Sequence, residues 1–152
     1  MLKDTDSDIL QKAETTIRHE YRRAAMFDQT YLNVNLNTIL DRITVQCTYD
    51  NMKKANIIIE NITESIESKI NEYERLGKIS HPDMIFALNT SCISITKLAH
   101  YLPDPGKVIG RHFMNPVPMK KMVEVIKGYH TTQETESEMI SLDLFPIGFH
   151  IS

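Results

Sequence analysis

The chain has 152 residues, with 17 Lys+Arg against 20 Asp+Glu, a formal charge of −3 and 41% apolar residues. That length and apolar content support one compact domain, and mild acidity without a basic stripe argues against a non-specific nucleic-acid binder, whose contacts would neutralise phosphates. Apolar runs stop at about five residues, Met84–Leu88 being the longest, far below the ~20 a membrane helix requires.

Asp4, Asp6 and Asp8 stand where a secretory leader would place a basic and then a greasy segment, so the chain reads as cytoplasmic. From Asp6 to about Phe27 the residues Ile9, Leu10, Ala13, Ile17, Tyr21, Ala24 and Ala25 recur at three- and four-residue steps, which predicts one amphipathic helix capped by Asp6 or Ser7. The alternation of Ile43-Thr-Val-Gln-Cys47 predicts a short strand. Cys47 and Cys92 have neither CxxC nor zinc spacing, so no disulfide or metal is indicated and both are expected to be small buried hydrophobes.

Ala55-Asn-Ile-Ile-Ile-Glu60 is a β-branched run of the kind buried at the centre of a parallel sheet. A helix follows, capped by Thr63 or Ser65, with a stripe of Ile66, Ile70, Tyr73 and Leu76 and an end at Gly77. Met84–Leu88 predicts a second buried strand, and Ser94–Leu102 a short helix ended by Pro103. Val108–Met114 and Met122–Ile126 predict two more strands, and Thr131 or Thr132 starts a last helix. Alternating strands and helices define the class as α/β, a parallel sheet with helices on both faces.

His112 lies near a predicted strand end, with Glu124 on the next strand twelve positions later. A strand, a bend and a return strand can bring them together. A carboxylate on one imidazole nitrogen fixes the tautomer and leaves the other to take a proton near neutral pH, the equipment of a general base. Taken alone, such a pair is more often a strand-end histidine and a solvated acid. Asn89-Thr-Ser91 follows the strand Met84–Leu88 at the carboxyl end of the sheet, where open α/β sheets place ligands, although a turn-and-cap cluster has the same composition. Glu64 and Lys69, five residues apart, are no helical pair, and by themselves read as a solvated helix start.

Three ordered segments, Asn89-Thr-Ser-Cys-Ile-Ser-Ile-Thr96, Val108-Ile-Gly-Arg-His-Phe-Met-Asn-Pro-Val-Pro118 and Met122-Val-Glu-Val-Ile-Lys-Gly128, together resemble the signature of the NAD-dependent 3-hydroxyacyl-CoA dehydrogenase family. The resemblance runs from about Asp4 to about Leu142. It implies a Rossmann-like NAD-binding domain over 1–142. It also implies that His112 takes the proton of a 3-hydroxyl while hydride leaves for the nicotinamide, that Glu124 orients His112, that Ser91 hydrogen-bonds the substrate oxygen, and that Asn115 helps hold it. On the cofactor side it implies contacts from Glu64 and Lys69, with Asp4 binding the adenosine ribose. The implied substrate is an acyl-CoA or acyl-carrier-protein thioester. Met114 and Pro118-Met-Lys-Lys121 resemble the carrier-protein branch found in polyketide and peptide pathways. The implied parent is a homodimer formed through a C-terminal helical domain.

Two departures accompany the resemblance. The five glycines, at 77, 106, 110, 128 and 148, all follow the candidate ribose acid Asp4, whereas a Gly-rich pyrophosphate turn belongs about 20 residues before it. The expectation is therefore a domain lacking the first strand and Gly-rich turn, with the strand at Ala55–Glu60 left short of one neighbour. After Leu142 the tail 143–152 diverges from the family, and the helical domain is absent. The alternative to a dehydrogenase fragment is an inactive remnant or partner-binding fragment without cofactor affinity.

Overall fold

A computed structural model describes residues 1–117, 120, 122–142 and 149–151. The chain divides into two compact units, Met1–Asn51 with Asn115–Lys120, and Met52–Met114 with Lys121–Ser152.

In the first unit a two-residue strand β1 (Leu2–Lys3) leads into helix α1 (Ser7–Phe27), whose N-cap is Asp6, its carboxylate accepting the Asp8 amide. Helix α2 (Leu36–Leu40) follows a single-turn helix at Gln29–Asn33, two elements that periodicity does not resolve because each is only five residues long. Strand β2 (Val45–Gln46) pairs parallel with β1. Cys47 lies just beyond it and is exposed, against expectation: with a strand of two residues there is no sheet face left to cover it.

The second unit holds strands β3 (Ile57–Glu60), β4 (Ile85–Leu88), β5 (Val108–Phe113), β6 (Val123–Lys127) and β7 (Phe149–Ile151), in that spatial order. All neighbours are parallel except β5 and β6, which are antiparallel. Strand β4 is buried throughout, as its apolar run requires. Strand β3 suits a central place by its β-branched run alone, but it is short of one neighbour, as the full reading of the sequence expects. It is the edge of the five-stranded sheet, no described strand pairs with its outer side, and Ile59 is 40% exposed.

Side-chain alternation assigns the helices. On one face Ile85, Ala87, Ile109 and Val125 form a core with Met139 of helix α5 (Gln133–Ser141). On the other face Glu60 meets helix α3 (Ile66–Gly77), and Gly110 lies under Ile95 of helix α4 (Ile95–Ala99). The buried stripe of α3 is Lys69, Tyr73 and Leu76. Ile66, expected in that stripe, is 40% exposed, so the helix is rotated towards the lysine. Ser65, Ser94 and Thr132 cap α3, α4 and α5. Among the described residues no helix is long and apolar enough to cross a membrane.

Candidate active site

His112 and Glu124 occupy directly opposed positions of the antiparallel β5–β6 ladder, a placement that brings the side chains of one face together. Nδ1 of His112 lies 2.7 Å from Glu124 Oε2. A carboxylate only accepts, so Nδ1 carries the hydrogen and the neutral ring keeps its lone pair on Nε2. Both side chains are about a quarter exposed, His112 at 24% and Glu124 at 22%, so the pair is partly desolvated yet open to a reactant.

Ser91 stands on the loop after β4, and that loop is fastened by Glu64. Oε1 of Glu64 accepts the Thr90 hydroxyl, the Ser91 amide at 2.9 Å and the Cys92 amide at 3.4 Å. Burial raises the Glu64 pKa, but these three bonds and the charge of Lys69 outweigh it and hold the carboxyl below its ordinary value. Oε2 lies 3.7 Å from Lys69 Nζ. Cys92, expected to be buried, is exposed, its sulfur 3.6 Å from the same Glu64 oxygen. A residue bonded through backbone and sulfur to a surface carboxylate is drawn out of the core.

Lys69 is not a solvated helix-start residue. It is fully buried, with Nζ 2.9 Å from both oxygens of Glu60 and 2.9 Å from the Asn89 carbonyl. Asn89 in turn accepts the Phe113 amide on its side-chain oxygen at 3.3 Å and donates to Asn61. The residue following His112 is thereby tied to the loop bearing Ser91. Glu60, Tyr73 and Asn61 are not legible as site residues from spacing alone, whereas Asn89 belongs to the cluster 89–91 that the sequence places at the carboxyl end of the sheet. Steps of four and three lead from Lys69 to Tyr73 and Leu76, so the helical period itself places a lysine on the apolar stripe.

Asp4 and Asn115 belong to the first unit. Asp4 follows β1, its carboxylate accepting the Asp6 amide at 2.9 Å, and Asn115 is exposed before Pro116. Of the carrier-protein-like segment, residues 118, 119 and 121 lie outside the described residues, as do 143–148 and 152 of the tail.

Comparison with known proteins bears on this arrangement. Residues 1–143 match the family described as 3-hydroxyacyl-CoA dehydrogenase, NAD binding domain. A probable 3-hydroxybutyryl-CoA dehydrogenase of Bacillus subtilis is 39% identical over 107 residues, covering 70% of this chain and 37% of that protein. The mitochondrial hydroxyacyl-coenzyme A dehydrogenase of Mus musculus is 32% identical over 146 residues, covering 92% of this chain and 46% of that protein. The crystal structure of an (S)-3-hydroxybutyryl-CoA dehydrogenase from Ralstonia eutropha superposes with a TM-score of 0.84 at 31% identity, covering 98% of this chain and 54% of that one. The chain thus spans less than half the length of the Bacillus and Mus relatives.

Proposed function

Because the chain belongs to the 3-hydroxyacyl-CoA dehydrogenase NAD-binding domain family, we propose that its site serves the NAD-dependent oxidation of the 3-hydroxyl of a hydroxyacyl thioester. The single observation that carries this is the His112–Glu124 pair, a base with its tautomer fixed and one nitrogen open. His112 Nε2 takes the hydroxyl proton as the carbonyl forms. Glu124 holds the ring and stabilises the imidazolium that results. Ser91 donates its hydroxyl to the substrate oxygen; the role of Asn115, a residue of the first unit, rests on the resemblance alone. NAD, when bound, supplies the acceptor for the hydride leaving the same carbon.

The residues present fit the hydroxyl-rich parts of that cofactor. Glu64 keeps one carboxylate oxygen beyond those its loop uses, beside the Lys69 charge, at the carboxyl ends of parallel strands. We assign Glu64 to direct cofactor contact and Asp4 to the adenosine ribose; Lys69, expected to touch the cofactor, is fully buried with its ammonium given to Glu60 and the Asn89 carbonyl, and serves the cofactor side only through Glu64. No Gly-rich turn lies within the chain, and no described glycine has positive φ, so none of these residues is assigned to the pyrophosphate.

The substrate we favour is a short acyl-CoA, on the names of the relatives, with a carrier-protein thioester the alternative. Cytoplasmic location and a homodimeric parent complete the reading. Titration with NADH, followed by nicotinamide fluorescence, tests it. Saturable binding at micromolar cofactor supports it and removes the rival, an inactive remnant. Absence of binding overturns the cofactor assignment for this chain.

A further inference from the structure

A fully buried lysine is costly unless paired and hydrogen-bonded on every side, and the surroundings of Lys69 are built to meet that demand. Glu60, 4% exposed, offers it both oxygens. Those oxygens have further donors: the Ile62 amide at 2.7 Å on Oε1 and the Tyr73 hydroxyl at 2.6 Å on Oε2. Tyr73 is itself 0% exposed, and burial, then the bond and charge of Glu60, raise its hydroxyl pKa, so that it stays a donor. The three side chains come from the end of β3 and two successive turns of α3 and leave no buried polar atom among them without a partner.

This group reaches outward at two places. Lys69 grips the Asn89 carbonyl, and Asn89 takes the Phe113 amide next to His112. Lys69 also stands 3.7 Å from Glu64, whose other oxygen holds the amides of Ser91 and Cys92. We infer that Glu60 and Tyr73 are positioning residues: with Lys69 they form a buried post that fixes loop 89–92, and so sets where Ser91 and Glu64 stand relative to the strand carrying His112. The words substrate and cofactor here rest on the function proposed above; the post itself does not.

Exposed Cys92, lying on the positioned loop, reports its order without any ligand. In a Cys47→Ser background it is the only thiol. Its reaction with the neutral reagent dithiodipyridine is measured in the parent, in Tyr73→Phe, in Glu60→Gln and in Met139→Ala, which loosens the opposite face of the sheet. The post predicts rates about threefold higher for Tyr73→Phe and about tenfold higher for Glu60→Gln, as the loosened loop releases the exposed thiol from the Glu64 carboxylate that holds it. Met139→Ala stays within about twofold, although it lowers the melting temperature at least as much. Tyr73→Phe, which keeps the ring, preserves the test if Glu60→Gln does not fold. An unchanged rate in Tyr73→Phe, or an equal rise in Met139→Ala, overturns the inference. NADH titration of the same proteins separates the two readings. A parent that binds NADH with unmoved Cys92 rates loses only the post. A parent that binds none, with rates that move as expected, loses only the cofactor assignment.

Discussion

In the function proposed, His112 and Glu124 divide the work of one base: the carboxylate sets the ring and the ring moves the proton. In a reconstructed full-length form, substituting His112→Gln removes the proposed proton acceptor, and turnover of a 3-hydroxyacyl thioester is expected to fall by ~10² or more while NADH affinity is retained; equal turnover in a steady-state assay refutes the role. Glu64 invites a different measurement. Its carboxyl is held below the ordinary value of 4.5, burial being outweighed by bonds from Thr90, Ser91 and Cys92 and by the charge of Lys69. A folded-state pKa lowered in this way stabilises the fold above the unfolded value, and the contribution is lost as pH falls through the folded one. Urea midpoints are therefore expected to drop more steeply below about pH 4.5 in the parent than in Glu64→Gln, the variant being the weaker near neutrality and the curves converging in acid. Parallel curves would show that the loop does not depend on that charge. The contact of His112 with Glu124 is legible in the sequence because two strands joined by a bend oppose those positions, whereas the role proposed for them rests on the resemblance. Lys69 was read as solvated because its charge was given more weight than its place on the helical stripe.

Helix α4 sits close to the sheet because Gly110 has no side chain. A Cβ there would come within 2.8 Å of Ile95 Cδ1 and Cγ1 and 3.0 Å of Ile126 Cβ. Gly110 and His112 share a face of β5, so the contact lies two residues from the base. Gly110→Ala is expected to destabilise the protein by about 1–3 kcal/mol through overpacking, and Ile95→Val, which removes Cδ1, to recover part of that loss in the double variant, as read from thermal melts. Simple addition of the two costs would mean that Ile95 is not the obstacle. On the other face Arg111, 4% exposed, gives its donors to the carbonyls of Met139 and Leu142 at the end of α5, a cation completing a helix C-terminus. Long periodic elements such as α1, α3 and β4 were legible to within a few residues, since their periodicity and caps repeat one message. The helices at Gln29–Asn33 and Leu36–Leu40 were not, because five residues hold barely one turn of pattern. The burial of the two cysteines was misjudged for a related reason: residue type carries a burial tendency, and position overrides it.

At the scale of the whole chain the sheets decide the outcome. The usual doubly wound order places the first strand inside the sheet. Here β1–β2 and β3–β7 are separate sheets, and β3, with a sequence suited to burial on two faces, stands at an edge with Ile59 40% exposed. Local composition reported the environment that the residue types suit, but pairing partners are a long-range property that no single segment encodes. An apolar strand with unpaired backbone donors and acceptors is a template for another strand. The expected consequence is concentration-dependent association of this chain through β3, and a lysine is the substitution that natural edge strands use against it. Ile59→Lys, at a half-exposed position, is expected to change stability by no more than about 0.5 kcal/mol and to shift sedimentation velocity profiles towards the monomer at concentrations where the parent associates. If parent and variant sediment identically as monomers across that range, β3 is not an adhesive edge, and the apolar run Ile57–Ile59 is covered by some other means.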